Sequence, residues 1–261
     1  MTGGTSIQRA GGFAVNSSNI LVRRYKMLAC VMANGLEIIT GTQGVSTNTT
    51  TIGTTWRNGQ SIRTGTLTAQ TTGDVQWTLL ERGYGLQTEC TVCWRAGVRE
   101  STTSIRMSSI GAGANPIHLA SGGIIGLFGG NTVTIPHGGG TNNTHRVFTY
   151  SLRSGGGGNF RAFGDGVFGG TASRNGTQGA LTNIQVGRNS GVNLIGTHID
   201  FVMVFQGGFS DEDALRFAID PYQVVEPIRN RKRIVYQAAA APTFVPAWAM
   251  GSTSIIGVGV S

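Results

Sequence analysis

The sequence of 261 residues has few charged side chains: Asp, Glu, Lys and Arg together account for 12%, and lysine occurs only at Lys26 and Lys232. A chain so sparsely charged, with 39% hydrophobic residues, is neither a coiled coil nor a fully disordered polymer. Cysteine is also scarce. Cys30, Cys90 and Cys93 cannot build a disulfide framework, and such a count fits a chain that folds in a reducing compartment. No unbroken apolar run nears the roughly 18 residues that span a bilayer, so no membrane partner is expected. The nearest run, Pro242 to Val260, is interrupted by proline, glycine and serine. Met1 to Gly12 lacks the basic-then-apolar order of a signal peptide, which predicts synthesis in the cytoplasm.

What is abundant is glycine, with 42 residues. Glycine costs about 1 kcal/mol at a helix-interior site and threonine ranks low as well, so short strands joined by glycine-rich turns are expected in place of a helical bundle. Strand patterns run from about Leu28 to Phe205. Leu86, Cys90, Val92 and Trp94 share one parity against Gln87, Glu89, Thr91 and Arg95, the alternation of a half-buried strand. Val147 alternates with Phe148, Tyr150 and Leu152. Ile199, Phe201, Met203 and Phe205 alternate with His198, Asp200, Val202 and Val204, and this strand, apolar on both faces near its end, is expected between two layers.

One helix is signalled. Ser210 caps it, Asp211, Glu212 and Asp213 occupy its first turn, Leu215, Ala218 and Ile219 give it an apolar face, and Pro221 ends it. Capping accounts for the acidic triplet better than catalysis does.

Chemical constellations are hard to find. A glycosidase needs two carboxylates facing one sugar, about 5–5.5 Å apart for retention or about 6.5–9.5 Å for inversion. Neighbours two apart on a strand would serve, but Glu81, Glu89 and Glu100 are too widely spaced and Asp211 with Asp213 falls in the helix cap. Only cross-strand pairing of distant acids leaves hydrolysis as a third reading. Asp165, Asp200 and Asn159 do not make a calcium site, since Asp165-Gly166 reads as a hairpin turn. Cys90 and Cys93, three apart on a strand, project to opposite faces and cannot share a zinc ion. His118, His137, His145 and His198 are scattered and read as structural. Gly164-Asp-Gly166-Val-Phe-Gly169 has the spacing of a dinucleotide-binding turn but precedes no helix. The expectation is a protein without enzymatic activity, cofactor or metal.

The formal net charge is +8, yet most arginines stand singly, so a dedicated nucleic-acid interface is not expected. Only Arg229, Arg231, Lys232 and Arg233 form a basic run, and beyond an alanine linker Phe244, Val245 and Trp248 offer apolar anchors. Together these seven residues are the expected partner-binding set. Trp56 and Tyr84, beside polar or glycine residues, are the aromatic candidates for stacking on a sugar ring.

The run from Ile199 through Phe209-Ser210-Asp211-Glu212-Asp213 to Asp220-Pro221-Tyr222 resembles the end of concanavalin A-like domains of the laminin-G and pentraxin type. There a core strand leads into Leu-Ser-Asp-x-Glu, a short helix and an Asn-Pro-Trp-like exit. Phe160 to Gly166 is similar to the aromatic strand and Asp-Gly turn of that family, and Ile184 to Gly187 to the strand after it. The resemblance implies an all-β, concanavalin A-like jelly-roll β-sandwich at 28–226, with one short helix, an N-terminal arm at 1–27 and an extended C-terminal arm at 227–261. Domains of this type serve as lectins, glycosidases and interaction modules. The tail after Tyr222 resembles those of bacteriophage virion proteins that carry the domain. It implies a virion structural protein, on the capsid or the tail, bound to other virion subunits or to its own copies. The alternative is an adhesin that recognises host surface glycans.

Overall fold

The computed structural model describes residues 13–32, 35–46, 51–56, 59–64, 75–78, 89–98, 106–111, 117–120, 123–127, 130–135, 145–153, 159–174, 181–186 and 197–227. All of these fall within one unit, Met1–Ile228. In chain order the elements are β1 (Phe13–Val15), α1 (Ile20–Arg24), β2 (Met27–Met32), β3 (Leu36–Glu37), β4 (Thr42–Gln43), β5 (Val45–Ser46), β6 (Thr51–Trp56), β7 (Gly59–Thr64), β8 (Val75–Thr78), β9 (Cys90–Val98) and β10 (Arg106–Ile110). They continue with β11 (Ile117–Ala120), β12 (Ile124–Leu127), β13 (Thr132–Thr134), β14 (Arg146–Leu152), β15 (Asn159–Gly164), β16 (Val167–Ser173), β17 (Asn183–Val186), β18 (Thr197–Gln206), α2 (Asp211–Ile219), a turn of 3-10 helix at Pro221–Val224, and β19 (Val225–Pro227).

The strands form two large sheets and a small ribbon. One sheet follows the order β16-β15-β14-β9-β18-β2-β3-β4, with β7 also paired to β18 and β6 to β7. The other follows β13-β12-β11-β10-β17-β8-β5, and β1 pairs with β19. All the pairings are antiparallel. The architecture is an all-β sandwich of antiparallel sheets with short helices.

Alternation along β9 dictates how the layers stack. Cys90, Val92, Trp94 and Ala96 join Phe148, Tyr150 and Leu152 of β14 and Val202 and Val204 of β18 in a core shared with Ile110, Ile117, Leu119, Ile125, Ile184 and Val186 of the second sheet. Cys93, Val147, Phe201, Met203 and Phe205 point the other way, into a second core closed by Leu21 of α1 and by Phe209 and Phe217. Strand β18 is therefore buried on both faces, as its sequence implies. Phe201, Phe205, Phe209 and Phe217 form an aromatic cluster, with centroid separations of 5.0 Å for Phe205–Phe209 and 5.9 Å for Phe201–Phe217.

Four expectations need correction. Residues 13–27 are not an arm: β1 pairs with β19 from Phe13 opposite Pro227 to Val15 opposite Val225, and Leu21 is fully buried. The reason is that Phe13, Val15 and Leu21 supply apolar surface that the second core needs. There are also two helices among the described residues. In α1 the Asn19 side chain accepts from the Leu21 N–H at 2.8 Å, and the helix ends after five residues at Tyr25. The core face of α2 is Asp213, Ala214 and Phe217, whereas Leu215 and Ile219 are 46% and 76% exposed. Spacing alone could not choose between the two helical stripes; the larger Phe217 ring takes the core and Leu215 lies against the β15–β16 turn at Gly166. Finally, the pairing of β18 with β9 slips between Ile199 and Phe201, so Ile199 faces the inter-sheet core while Phe201 faces the helices.

Candidate functional site

A pocket of about 550 Å³ opens where the three central strands of the larger sheet end together. Its lining is Val15 of β1; Val22, Arg23 and Arg24 of α1; Tyr25, Lys26 and Met27 leading into β2; Glu89 just before β9; and Gln206 with Gly207 just after β18. Backbone bonds lock this rim: Gln206 N–H donates to the Lys26 carbonyl at 2.8 Å and Gly207 N–H to that of Glu89 at 2.9 Å. Gly207 has φ +97°, and a Cβ there would sit 2.9 Å from Tyr25 Cδ1. A larger residue would thus strain the backbone and crowd the tyrosine wall of the pocket.

Asp213 holds that wall in place. It is 1% exposed and accepts from Tyr25 Oη at 2.7 Å, from Ser210 Oγ at 2.8 Å and from Arg24 Nη1 at 2.7 and 2.9 Å. Burial alone would raise its pKa, but the bonds from Tyr25, Ser210 and Arg24 outweigh it and hold the carboxyl below the ordinary 3.8. The Tyr25 phenol is pushed up, first by burial and then by its bond to Asp213. Its ring centroid lies 4.7 Å from that of Phe209. Arg24 and Tyr25 are thereby pre-set, whereas Arg23 and Lys26 make no ion pair among the described residues.

The sequence reading misses Arg24 and Tyr25 as partners of Asp213, because 189 and 188 positions respectively separate them from it. It does find the cap: Ser210 Oγ accepts from the Asp213 N–H at 3.0 Å. The other two acids of the triplet are paired at the surface, Asp211 with Arg153 and Arg161 and Glu212 with Arg216.

Asp200 is not a lone acid. At the β18 slip it meets His145 Nδ1 at 2.6 Å and Arg95 Nη1 at 2.7 Å, and Arg95 also donates to Tyr222 Oη at 3.2 Å. The Tyr222 phenol is raised, by burial first and by the Asp200 charge second. His145 therefore has a structural partner that its sequence neighbours do not reveal. Glu37 is fully buried and accepts from the backbone N–H groups of Cys30, Ile39 and Thr40 and from the Thr40 hydroxyl.

Cys90 and Cys93 do face opposite cores. All three thiols are free and buried; burial pushes Cys90 up to about 12 and raises Cys30 and Cys93 strongly. Among the described residues no cluster of three or more His, Cys, Asp or Glu is placed to hold a metal ion. The Asp165-Gly166 turn has φ +51° and +79°, the left-handed pair of a tight hairpin, so the glycine spacing around it is that of the β15–β16 hairpin.

Of the sugar-stacking candidates, Trp56 ends β6 opposite Gly59. Tyr84 lies outside the described residues, as do Arg229, Arg231, Lys232, Arg233, Phe244, Val245 and Trp248.

The sequence matches no protein-family model and no curated protein. Its structure is similar to the sialidase of Trypanosoma rangeli in complex with 2,3-difluorosialic acid, with a TM-score of 0.51 and 9% identity over 76% of this chain and 33% of that one. It is also similar to the binding domain of botulinum neurotoxin serotype D, with a TM-score of 0.52 and 9% identity over 74% of this chain and 51% of that one. At these identities the likeness is one of fold. The chain matches a third to a half of the length of these proteins.

Proposed function

We propose that this chain is a non-enzymatic structural protein of a bacteriophage particle, decorating the capsid or belonging to the tail and held there by protein–protein contacts. The observation that carries the non-catalytic reading is the state of the buried acids. Glu37, Asp200 and Asp213 are each engaged by backbone, hydroxyl, imidazole or guanidinium groups that the fold itself supplies. A general acid or nucleophile needs a carboxyl directed at substrate, and these three are spent on joining elements. The virion assignment draws on the likeness of the segment after Tyr222 to phage virion tails. In it Arg229 to Arg233 meet an acidic neighbour and Phe244, Val245 and Trp248 anchor in another subunit. Deleting residues 242–261 should leave a soluble folded body that no longer enters particles; normal occupancy of the truncated chain would overturn the reading.

A second reading, a carbohydrate-binding adhesin, is favoured by the preformed pocket beside Tyr25 on a fold shared with a sialidase and a toxin binding domain. Its test is a glycan array. Saturable binding supports it, and loss of binding on replacing Trp56 or Tyr84 would identify those rings as the stacking platform.

A further inference from the structure

We infer that the pocket between α1 and the ends of β2, β9 and β18 binds an acidic sugar, a polyhydroxylated ring bearing one carboxylate. The inference rests on the glycan-binding reading and gives it a site and a ligand class. The volume, about 550 Å³, suits one or two sugar rings. Arg23, Arg24 and Lys26 stand together on its rim, and of these Arg23 and Lys26 have no ion pair among the described residues. Two cations that make no ion pair among the described residues, beside a concave surface, attract an anion, and a guanidinium can hold a carboxylate by two parallel bonds.

The remaining lining decides which anion. Val15, Val22 and Met27 offer apolar surface and Tyr25 an aromatic wall, which suits the C–H face of a pyranose. Glu89 lies in the same lining. The exposed Gln206 amide can donate to and accept from ring hydroxyls, which a bare phosphate lacks. A nucleic-acid backbone would need a track of cations, whereas here they are confined to the short stretch from Arg23 to Lys26.

Pre-organisation strengthens the case. Tyr25 and Arg24 are fixed by Asp213, and Gly207 leaves the Tyr25 ring its space, so the ligand does not have to order this wall.

The test uses the full chain on an array carrying uronic- and sialic-type acids beside their neutral counterparts, with titration calorimetry on the hits and on inorganic phosphate. Acidic sugars should bind and neutral counterparts should not. Arg23→Ala and Lys26→Ala, both exposed positions, should each weaken binding about tenfold, with Arg23→Lys retaining most of it, and affinity should fall with added salt. Binding of neutral glycans unaffected by Arg23→Ala and Lys26→Ala would overturn the pocket while leaving the adhesin reading intact. Absence of any glycan binding would overturn both. Phosphate binding as tight as that of the acidic sugars would overturn the ligand class.

Discussion

Asp213 is the joint between the two helices, and replacing it tests how the second core is held. Asp213→Asn keeps the shape and removes the charge. Arg24 contributes little to the expected loss, since its side chain is 51% exposed and water can take over its solvation. The bonds from Tyr25 and Ser210 matter more, because their acceptor is 1% exposed and changes from an anion to an amide. Hydrogen bonds to a charged group contribute about 1.5–3 kcal/mol and neutral ones about 1, so the substitution should cost about 1–2 kcal/mol at neutral pH. Asp213→Ala also leaves the Tyr25 hydroxyl without its acceptor and should cost about 3 kcal/mol. The assay is urea denaturation followed by tryptophan fluorescence, since Trp94 is fully buried.

The pH dependence supplies an independent check. The folded carboxyl lies below 3.8, its ordinary value, so its stabilisation is complete well above that pH and is lost as pH falls through the lowered value. Wild type and Asp213→Asn should therefore differ by a constant amount near neutrality and converge in acid below about pH 3.8. A midpoint for Asp213→Asn equal to that of wild type at pH 7, or a gap that widens in acid, would refute the account.

Three further outcomes are expected. Phe217→Ala should cost about 3–5 kcal/mol and Leu215→Ala less than about 1, because the first opens the aromatic cluster and the second lies at the surface; a reversed order in chemical denaturation would contradict the placement of α2. Gly166→Ala should destabilise by about 1–3 kcal/mol, since its φ is +79° and its Cβ would lie 2.7 Å from the Leu215 backbone; a stabilising effect would show that the hairpin does not press on α2. A thiol reagent at pH 8 should label none of Cys30, Cys90 and Cys93 in the native protein and all three in urea, so rapid native labelling of any one would contradict its burial.

The residues that the sequence reads well are those whose partners are dictated by period. Alternation along Cys90 to Trp94 assigns each side chain to a face without reference to any other strand, and the cap at Ser210 needs only Asp213, three positions away. The same logic fails wherever the period is broken or the partner is remote. Asp200 occupies the slip in β18, which turns Ile199 away from the Phe201 face; a strict period of two puts them together, and no residue type there marks the slip. The segment before Met27 reads as an arm because Phe13, Val15 and Leu21 are too few to declare a core of their own. Their burial comes from Phe209, Phe217 and Val225, some two hundred positions later. The candidate pocket inherits both difficulties. Its walls come from β1, α1 and the ends of three strands that adjoin only after the sheet has formed, so its residues share no motif. One local signal was nevertheless available: Arg23, Arg24 and Lys26 form the densest group of cations before the tail, directly ahead of an apolar strand. Such a strand starts where the sheet's strands end, and cations at its start are therefore brought to the rim of the sandwich, where ligands have access.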